Sequence, residues 1–314
     1  MAEQVHELAR GRYAPSPTGA LHLGNLRTAL LAWLFARAAG GTFVLRVEDL
    51  DLPRVRPGAS EQMMADLRWL GLDWDEGPDV GGPYAPYTQS ERQAIYSAQI
   101  QRLSEAGLVY PCYCSRAEIA RAASAPHGPE GPRYPGTCRQ LSASVRQQYT
   151  AAGRYPSLRL RVPDERVVTF TDLVSGQHSQ HVQQAVGDFI LRRSDGIFAY
   201  QFAVVVDDGL MHINQVVRGS DLLSSTARQI LLFEALGFPV PTFAQVPLWL
   251  DSSGQRLSKR IESAGLDPLR AAGATPDQIV CKLAASCGLV EPGEIISAAG
   301  LVERYYGNKI ALNL

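Results

Sequence analysis

The chain has 314 residues, 46% of them hydrophobic, with 30 basic against 31 acidic side chains and a formal net charge of -1. That length can bury a sizeable core in two or three compact units, and the near-zero balance excludes a surface that coats nucleic acid broadly, although basic groups can still gather on one face. No apolar run reaches the roughly twenty residues needed to span a bilayer, and Met-Ala-Glu-Gln-Val-His-Glu at the start lacks the charged and apolar regions of a signal peptide, so a cytoplasmic protein without membrane contact is expected.

In chain order, Gly11-Arg-Tyr-Ala suits a short buried strand, Pro-Ser-Pro-Thr-Gly must turn, and the run from Asn25 to Arg37 reads as an apolar helix opened by Asn25. Backbone N–H groups at that helix start would face an anion, and His22 and Gly24 stand just ahead of it. Phe43-Val-Leu-Arg-Val-Glu48-Asp49 alternates like a strand whose acidic exit, including Asp51, falls at the carboxyl edge where open α/β sheets bind ligands. Tyr110-Pro-Cys112-Tyr-Cys114-Ser, a helix-like Arg-Ala-Glu-Ile-Ala-Arg-Ala-Ala, a Pro/Gly-rich loop from Ser124 to Arg133 and Tyr134-Pro-Gly-Thr-Cys138 follow. Three cysteines in so short a span suggest a metal, and thiolates select zinc. A tetrahedral site needs a fourth ligand, for which His127 is the commoner type; reduced cysteines that bind no metal are the alternative reading.

Further on, Asp188 to Asp208 reads as a hairpin around Ser194-Asp195-Gly196, and Ile213 to Arg218-Gly219 as a strand. An apolar strand at Leu248-Trp-Leu runs into the polar glycine turn Asp251-Ser-Ser-Gly-Gln-Arg256-Leu-Ser258-Lys259-Arg260. The chain holds 27 Arg and only three Lys, at 259, 282 and 309, so a lysine here is a marked choice; a compact ammonium on a flexible stem suits a phosphate clamp. Cys281 and Cys287, in an apolar helical stretch, read as core packing.

Pro-x-Pro-x-Gly-x-x-His22-Leu-Gly24 resembles the HIGH signature of class I aminoacyl-tRNA synthetases, and Arg12-Tyr-Ala-Pro-Ser-Pro-Thr-Gly is similar to the form seen in the glutamyl branch. The segment from Leu248 to Arg260 resembles the KMSKS loop of the same class, and Arg46-Val-Glu48-Asp49-Leu-Asp51 resembles the branch's R-[IV]-E-D-x-D run. The family motif ends in a second histidine where this chain has Asn25, a residue that can still donate a hydrogen bond.

This resemblance implies a class I, Rossmann-type doubly wound parallel α/β sheet, with an inserted zinc-binding α+β subdomain and a short C-terminal helical extension. The implied divisions are 1–110 and 191–262 for the catalytic halves, 111–190 for the insertion and 263–314 for the extension. His22 and Lys259 would be catalytic, stabilising phosphate charge while the glutamate carboxylate attacks ATP, with Gly24, Asn25 and Ser258 also on the nucleotide. Arg12, Ala14, Ser16, Glu48, Tyr200 and Arg218 would take glutamate: two positive partners, one negative and a hydroxyl for two carboxylates and one ammonium. Cys112, Cys114 and Cys138 would bind one structural zinc, with Tyr134 as fourth ligand in the Tyr-x-x-x-Cys spacing of the short paralogues of the branch. Mg-ATP would be a substrate.

About fifty residues follow Arg260, too few for the helical anticodon-binding region of a discriminating glutamyl-tRNA synthetase. In that respect the chain resembles the glutamyl-queuosine tRNA(Asp) synthetase family. The implied function is activation of L-glutamate without tRNA and its transfer to queuosine in the anticodon loop of tRNA(Asp), by a monomer. Two rivals remain: a minimal enzyme charging tRNA-Glu, and a non-catalytic paralogue that binds glutamate or nucleotide.

Overall fold

The computed structural model describes residues 8–122, 133–249, 265–308 and 310. Along the chain these form β1 (Arg10–Tyr13), α1 (Leu23–Ala38), β2 (Thr42–Leu45), α2 (Ala59–Trp69), α3 (Gln93–Glu105), β3 (Val109–Cys112), α4 (Arg116–Ala122), α5 (Ala143–Ala151) and β4 (Ser157–Leu160). Then come β5 (Val167–Asp172), β6 (Gly176–His181), α6 (Val182–Ala185), β7 (Ile190–Arg192), α7 (Tyr200–Leu210), β8 (Gln215–Gly219), α8 (Leu223–Leu236), β9 (Thr242–Val246), α9 (Asp267–Ala271), α10 (Pro276–Ala285) and α11 (Ala298–Tyr305).

Six strands form one sheet in the order β2-β1-β8-β9-β5-β6, parallel except for the antiparallel β5–β6 pair at one edge. The β1–α1–β2 unit winds away from the centre in one direction and β8–α8–β9 in the other, so strand order reverses between β1 and β8. In an open α/β sheet that reversal leaves a crevice beyond the carboxyl ends of the two strands. The doubly wound α/β fold expected from the sequence is therefore the fold observed. A second, antiparallel sheet, β3-β4-β7, stands apart from the first. Of the stretch 111–190, β5 and β6 return to the large sheet, while β4 lies in the small one between β3 and β7, which stand at the two ends of the stretch.

Two large apolar clusters make most of the core of the described residues, one around α1, α2, α10 and α11, the other around α3, α7 and α8, and a small third gathers Tyr110, Tyr113 and Tyr134 with Cys112 and Cys138. Helix α1 is apolar nearly all round because it packs against β1 and β8 and also against α10 and α11. Its close approach to β1 depends on Gly11, where a Cβ would sit 3.0 Å from Ala36 Cβ. Helix α10 opens with a capping box between Thr275 and Gln278 and with Pro276 in its first turn. It delivers Ile279, Val280 and Leu283 to the first cluster, where Cys281 and Cys287 are buried as expected.

Three local expectations change. The hairpin around Ser194-Asp195-Gly196 keeps only its first arm, β7; the return is the single bridge Arg192–Phe198, and Tyr200 begins helix α7. Phe202 through Val206 are all buried, so packing overrides the strand preference of three consecutive valines. Helix α1 opens at Leu23 with His22 as its cap, and Asn25 lies inside the first turn. The strand ahead of the lysine-bearing turn is Thr242–Val246 and ends before Leu248. That turn, with Ser258 and Lys259, lies outside the described residues, as do His127 and nearly all of the Pro/Gly-rich loop. No helix among the described residues is long and apolar enough to cross a membrane.

Candidate active site and metal-ligand cluster

A cavity of about 660 Å³ opens where β1 and β8 end, within the ordinary range for a small-molecule site. Arg12, Ala14 and Ser16 line it from β1 and the turn beyond; His22, Gly24 and Asn25 line it from the head of α1. Glu48 enters from the end of β2, Tyr200 from the start of α7 and Arg218 from β8. All nine of these residues, scattered over two hundred positions of sequence, thus face one crevice.

His22 caps α1 through Nδ1, which accepts the Asn25 N–H at 3.1 Å, so the neutral ring carries its proton on Nε2. Gly24 leaves room for that ring, since a Cβ there would lie 3.0 Å from His22 Cε1 and 3.1 Å from Nδ1 and the ring would have to shift. Asn25 contributes its backbone to the cap rather than acting as one.

The floor is a buried charge network. Asp208 accepts from Arg12 Nε at 3.3 Å and from Arg46 Nη2 at 2.8 Å, and Arg46 Nη2 also lies 3.2 Å from Glu48 Oε1. Asp207, beside it, accepts from Arg92 Nε at 2.7 Å and from Gln89 and Tyr96 at 2.8 Å each. Arg46 is fully buried, and although desolvation opposes its charge, Asp208, Asp207 and Glu48 raise its pKa further. Burial acts against Asp208 as well, but Arg12 and Arg46 hold its pKa below the usual carboxylate range. For Glu48 burial wins: despite Arg46 and Arg12 its pKa is pushed up to about 7, with Asp208 and Asp207 adding to the rise. Of the three charges expected to meet glutamate, Arg12 and Glu48 therefore stand in ion pairs with Asp208 and Arg46.

Arg218 differs. Among the described residues it has no carboxylate partner: Nη1 donates to Gln229 Oε1, Nη2 to Thr226 Oγ1 at 2.9 Å and to the Leu222 carbonyl at 3.4 Å, and its plane lies over the Phe243 ring. Desolvation lowers its pKa to about 10, the neighbouring Tyr200 notwithstanding. The Tyr200 ring is 38% exposed at the rim, while desolvation of its hydroxyl and the charge of Glu48 push its pKa up to about 12.

Two of the acids at the exit of β2 divide by role. Asp49 accepts from Ser90 N at 2.7 Å and Ser90 Oγ at 2.6 Å and so fixes a neighbouring turn, whereas Asp51 faces the cavity. Arg27 also lines the cavity, donating to the Pro247 carbonyl beside the Trp249 ring.

About the small sheet, Cys112, Cys114 and Cys138 bring their sulfurs within 4.8 Å of one another. Cys114 and Cys138 Sγ are 3.5 Å apart, and Tyr134 Oη lies 3.3 Å from Cys112 Sγ and 3.8 Å from Cys114 Sγ. Ligands on a tetrahedral ion with bonds of about 2.0–2.3 Å would stand about 3.5–3.8 Å apart, so these four atoms fit a small thiophilic ion. Burial opposes the Cys112 thiolate, but hydrogen bonding from Tyr134 and the nearby Arg159 hold its pKa below the ordinary thiol value. Burial and Cys138 push Cys114 up to about 12. Arg159 lies over the Tyr134 ring at 3.9 Å.

Sequence reasoning missed the supporting shell: Arg46, Arg92, Asp207, Asp208, Thr226 and Gln229. The pair Asp207-Asp208 directly after the apolar run Phe202–Val206 was the readable signal, since acids at the end of a buried segment need partners.

Residues 9–302 match the family described as tRNA synthetases class I (E and Q), catalytic domain. The chain is 55% identical over 294 residues to a glutamyl-Q tRNA(Asp) synthetase of Symbiobacterium thermophilum, covering 93% of this chain and 90% of that protein. It is 51% identical over 284 residues to one of Nitratidesulfovibrio vulgaris, covering 90% and 87%. A solved glutamate-tRNA synthetase from Elizabethkingia anophelis superposes with a TM-score of 0.82 at 32% identity, covering 95% of this chain and 65% of that one.

Proposed function

This chain belongs to the class I tRNA synthetases of the E and Q type and is a ligase, and from that premise we propose that it activates L-glutamate on ATP without tRNA and transfers it to queuosine in tRNA(Asp). The observation that carries the substrate is Arg218, a buried cation whose described partners are all neutral, held at the edge of a cavity of amino-acid and nucleotide size. A second carboxylate on the substrate supplies the missing counter-ion.

On this reading Arg218 takes the glutamate side-chain carboxylate, with Tyr200 donating its hydroxyl. Glu48 takes the α-ammonium, and Arg12, shared with Asp208, is the second cation; Ala14 and Ser16 shape the wall. The α-carboxylate then attacks the α-phosphorus of Mg-ATP, forming the glutamyl-adenylate mixed anhydride and releasing pyrophosphate. Negative charge builds on the phosphate oxygens, where His22 Nε2–H and backbone N–H groups near Gly24 and Asn25 can donate; Ser258 and Lys259 are assigned to the same task from their motif. No covalent enzyme intermediate is needed. In the second step a hydroxyl of the queuosine ring attacks the activated carbonyl and AMP leaves.

Cys112, Cys114, Cys138 and Tyr134 are proposed to hold one zinc, whose part is structural, cross-linking the loops about the small sheet. The domain division proposed is catalytic halves 1–110 and 191–262, an inserted unit 111–190 and a helical extension 263–314, acting as a cytoplasmic monomer.

The deciding assay is glutamate-dependent exchange of labelled pyrophosphate into ATP with no RNA present. Robust exchange is expected. Exchange only on addition of tRNA would point to a charging enzyme for tRNA-Glu, and none under any condition to a binding paralogue.

A further inference from the structure

Apart from Arg27, which donates to the Pro247 carbonyl, the site has four buried arginines, and three of them meet a carboxylate: Arg12 and Arg46 share Asp208, and Arg92 is on Asp207. The fourth, Arg218, is surrounded by amides, a hydroxyl and a carbonyl. Arg218 thus has no carboxylate within hydrogen-bond reach among the described residues; Asp208 and the buried Asp172 act on it only through space. Free glutamate brings a side-chain carboxylate to sit on this guanidinium; glutamine brings a neutral amide and leaves the cation without an ionic partner. The neutrality of the Arg218 surroundings is therefore what gives the site a reason to prefer an acid.

Gln229 is the residue best placed to control this. It lies on α8, one turn beyond Thr226, so both side chains reach Arg218 from the same helix face. Its Oε1 accepts from Arg218 Nη1, which obliges its Nε2 to point the other way, and there it donates to Gln201 Oε1 at 2.6 Å. Gln201 in turn donates to Ser225 Oγ at 2.8 Å. Gln229 and Thr226 are almost completely buried, at 1% and 0% exposure, so neither charge nor orientation there is moderated by water. We propose that Gln229, by being an amide and not an acid, is a specificity-determining positioning residue: it aims Arg218 while leaving the guanidinium charge for the side-chain carboxylate of the substrate. This rests on the reading that Arg218 binds that carboxylate.

A single-atom change tests it. Gln229→Glu keeps the shape and the acceptor but supplies an internal counter-ion. The new carboxylate also needs a donor where Nε2 was, and a half-turn of the Gln201 amide provides one, with the Ser225 hydroxyl then donating to the displaced oxygen. A purely structural role predicts equal damage to both substrates; a charge role predicts a change in their ratio.

Pyrophosphate exchange with L-glutamate and with L-glutamine, with unfractionated tRNA present, gives kcat and KM for each in wild type, Gln229→Glu and Gln229→Met. Gln229→Glu should raise the glutamate KM by on the order of a hundredfold while the glutamine KM stays level or falls and the ATP KM does not move. Gln229→Met should raise the glutamate KM by about tenfold and keep the preference for acid, because it removes a hydrogen bond and adds no charge. Gln245→Glu, which brings a carboxylate to the Nε side of Arg218, carries the same prediction and stands in if the first variant does not fold. An acid-to-amide preference unchanged in both acidic variants overturns the inference. Arg218→Met separates it from its premise: a glutamate KM unaltered there removes both, whereas a large rise there beside unaltered preference in Gln229→Glu and Gln245→Glu removes the inference alone.

Discussion

Arg46 Nη2 lies 2.8 Å from Asp208 Oδ1, and the two side chains, from the end of β2 and from helix α7, are 0% and 4% exposed. That contact ties the first half of the sheet to the helix that carries Tyr200, and Arg12 closes on the same carboxylate at 3.3 Å. A buried pair is weak evidence of net stabilisation, yet removing one partner strands the others. Asp208→Asn should cost about 3–5 kcal/mol in urea unfolding, because Arg12 and Arg46 lose a charge they share. A loss under about 1 kcal/mol would show that water reaches the network.

Glu48 gives the site a pH dependence. Its folded pKa of about 7 stands above the ordinary 4.5, so between those values the folded protein holds a proton that the unfolded chain has released, and the stability of the ligand-free protein falls as pH rises. Only the ionised form can receive the α-ammonium proposed for it. The glutamate KM should therefore drop as pH passes from about 6 to 8 while the ATP KM stays flat. Glu48→Gln should raise the KM and abolish the slope; a slope that survives belongs to another group.

Gly24 and Lys259 test the nucleotide side from two directions. A methyl at Gly24 must push the His22 ring, so Gly24→Ala should raise the ATP KM and slow adenylate formation with glutamate binding near normal. Lys259→Ala should slow adenylate formation by about a hundredfold or more with glutamate affinity largely intact, as befits a group acting on transition-state charge. A pre-steady-state rate within about twofold of wild type for Lys259→Ala removes that lysine from catalysis.

What the sequence made legible was whatever sits on the chain as a local pattern. The turn around His22, the acid after β2, Arg218 at the end of β8 and the cysteine spacing each could be read in place, and the fold brings the first three groups into one cavity and the cysteines into one cluster. What stayed hidden was pairing across the sequence: nothing near Arg12 signals that Asp208, 196 positions away, has claimed it, or that Gln229 and Thr226 leave Arg218 without an acid. The strand-like valines of α7 misled for the same reason, since burial on all sides removes the periodicity that separates helix from strand.

The cysteine cluster predicts about one zinc per chain in carefully prepared protein, lost in Cys138→Ser. Tyr134→Phe removes the oxygen that stands 3.3 Å from Cys112 Sγ, and should speed zinc release to a chelator; His127→Ala should not. The opposite pattern would move the fourth ligand to His127. Metal analysis that finds no bound ion in wild type returns the three thiols to the role of buried packing groups.

The acceptor is the last matter open to test. The relatives in Symbiobacterium and Nitratidesulfovibrio are both named glutamyl-Q tRNA(Asp) synthetases, and the chain spans 90% and 87% of their lengths, so the comparison concerns near-whole proteins. Transfer from glutamyl-adenylate to queuosine needs a hydroxyl of the modified ring to reach the activated carbonyl, with AMP leaving and the hydroxyl proton passing to a nearby base or to water. The cavity allows an approach from solvent at the rim, where Tyr200 is part-exposed and Asp51 and Arg54 line the wall. Nothing in that step uses a tRNA 3′ end. Labelled glutamate should therefore join queuosine-containing tRNA(Asp), persist after removal of the terminal adenosine, and fail on the same tRNA with guanine at the wobble position. Mild alkali should release it as free glutamate, as expected of an ester. Equal labelling of tRNA-Glu, or loss of label on trimming the 3′ end, would instead make the chain a charging enzyme built on the same glutamate site.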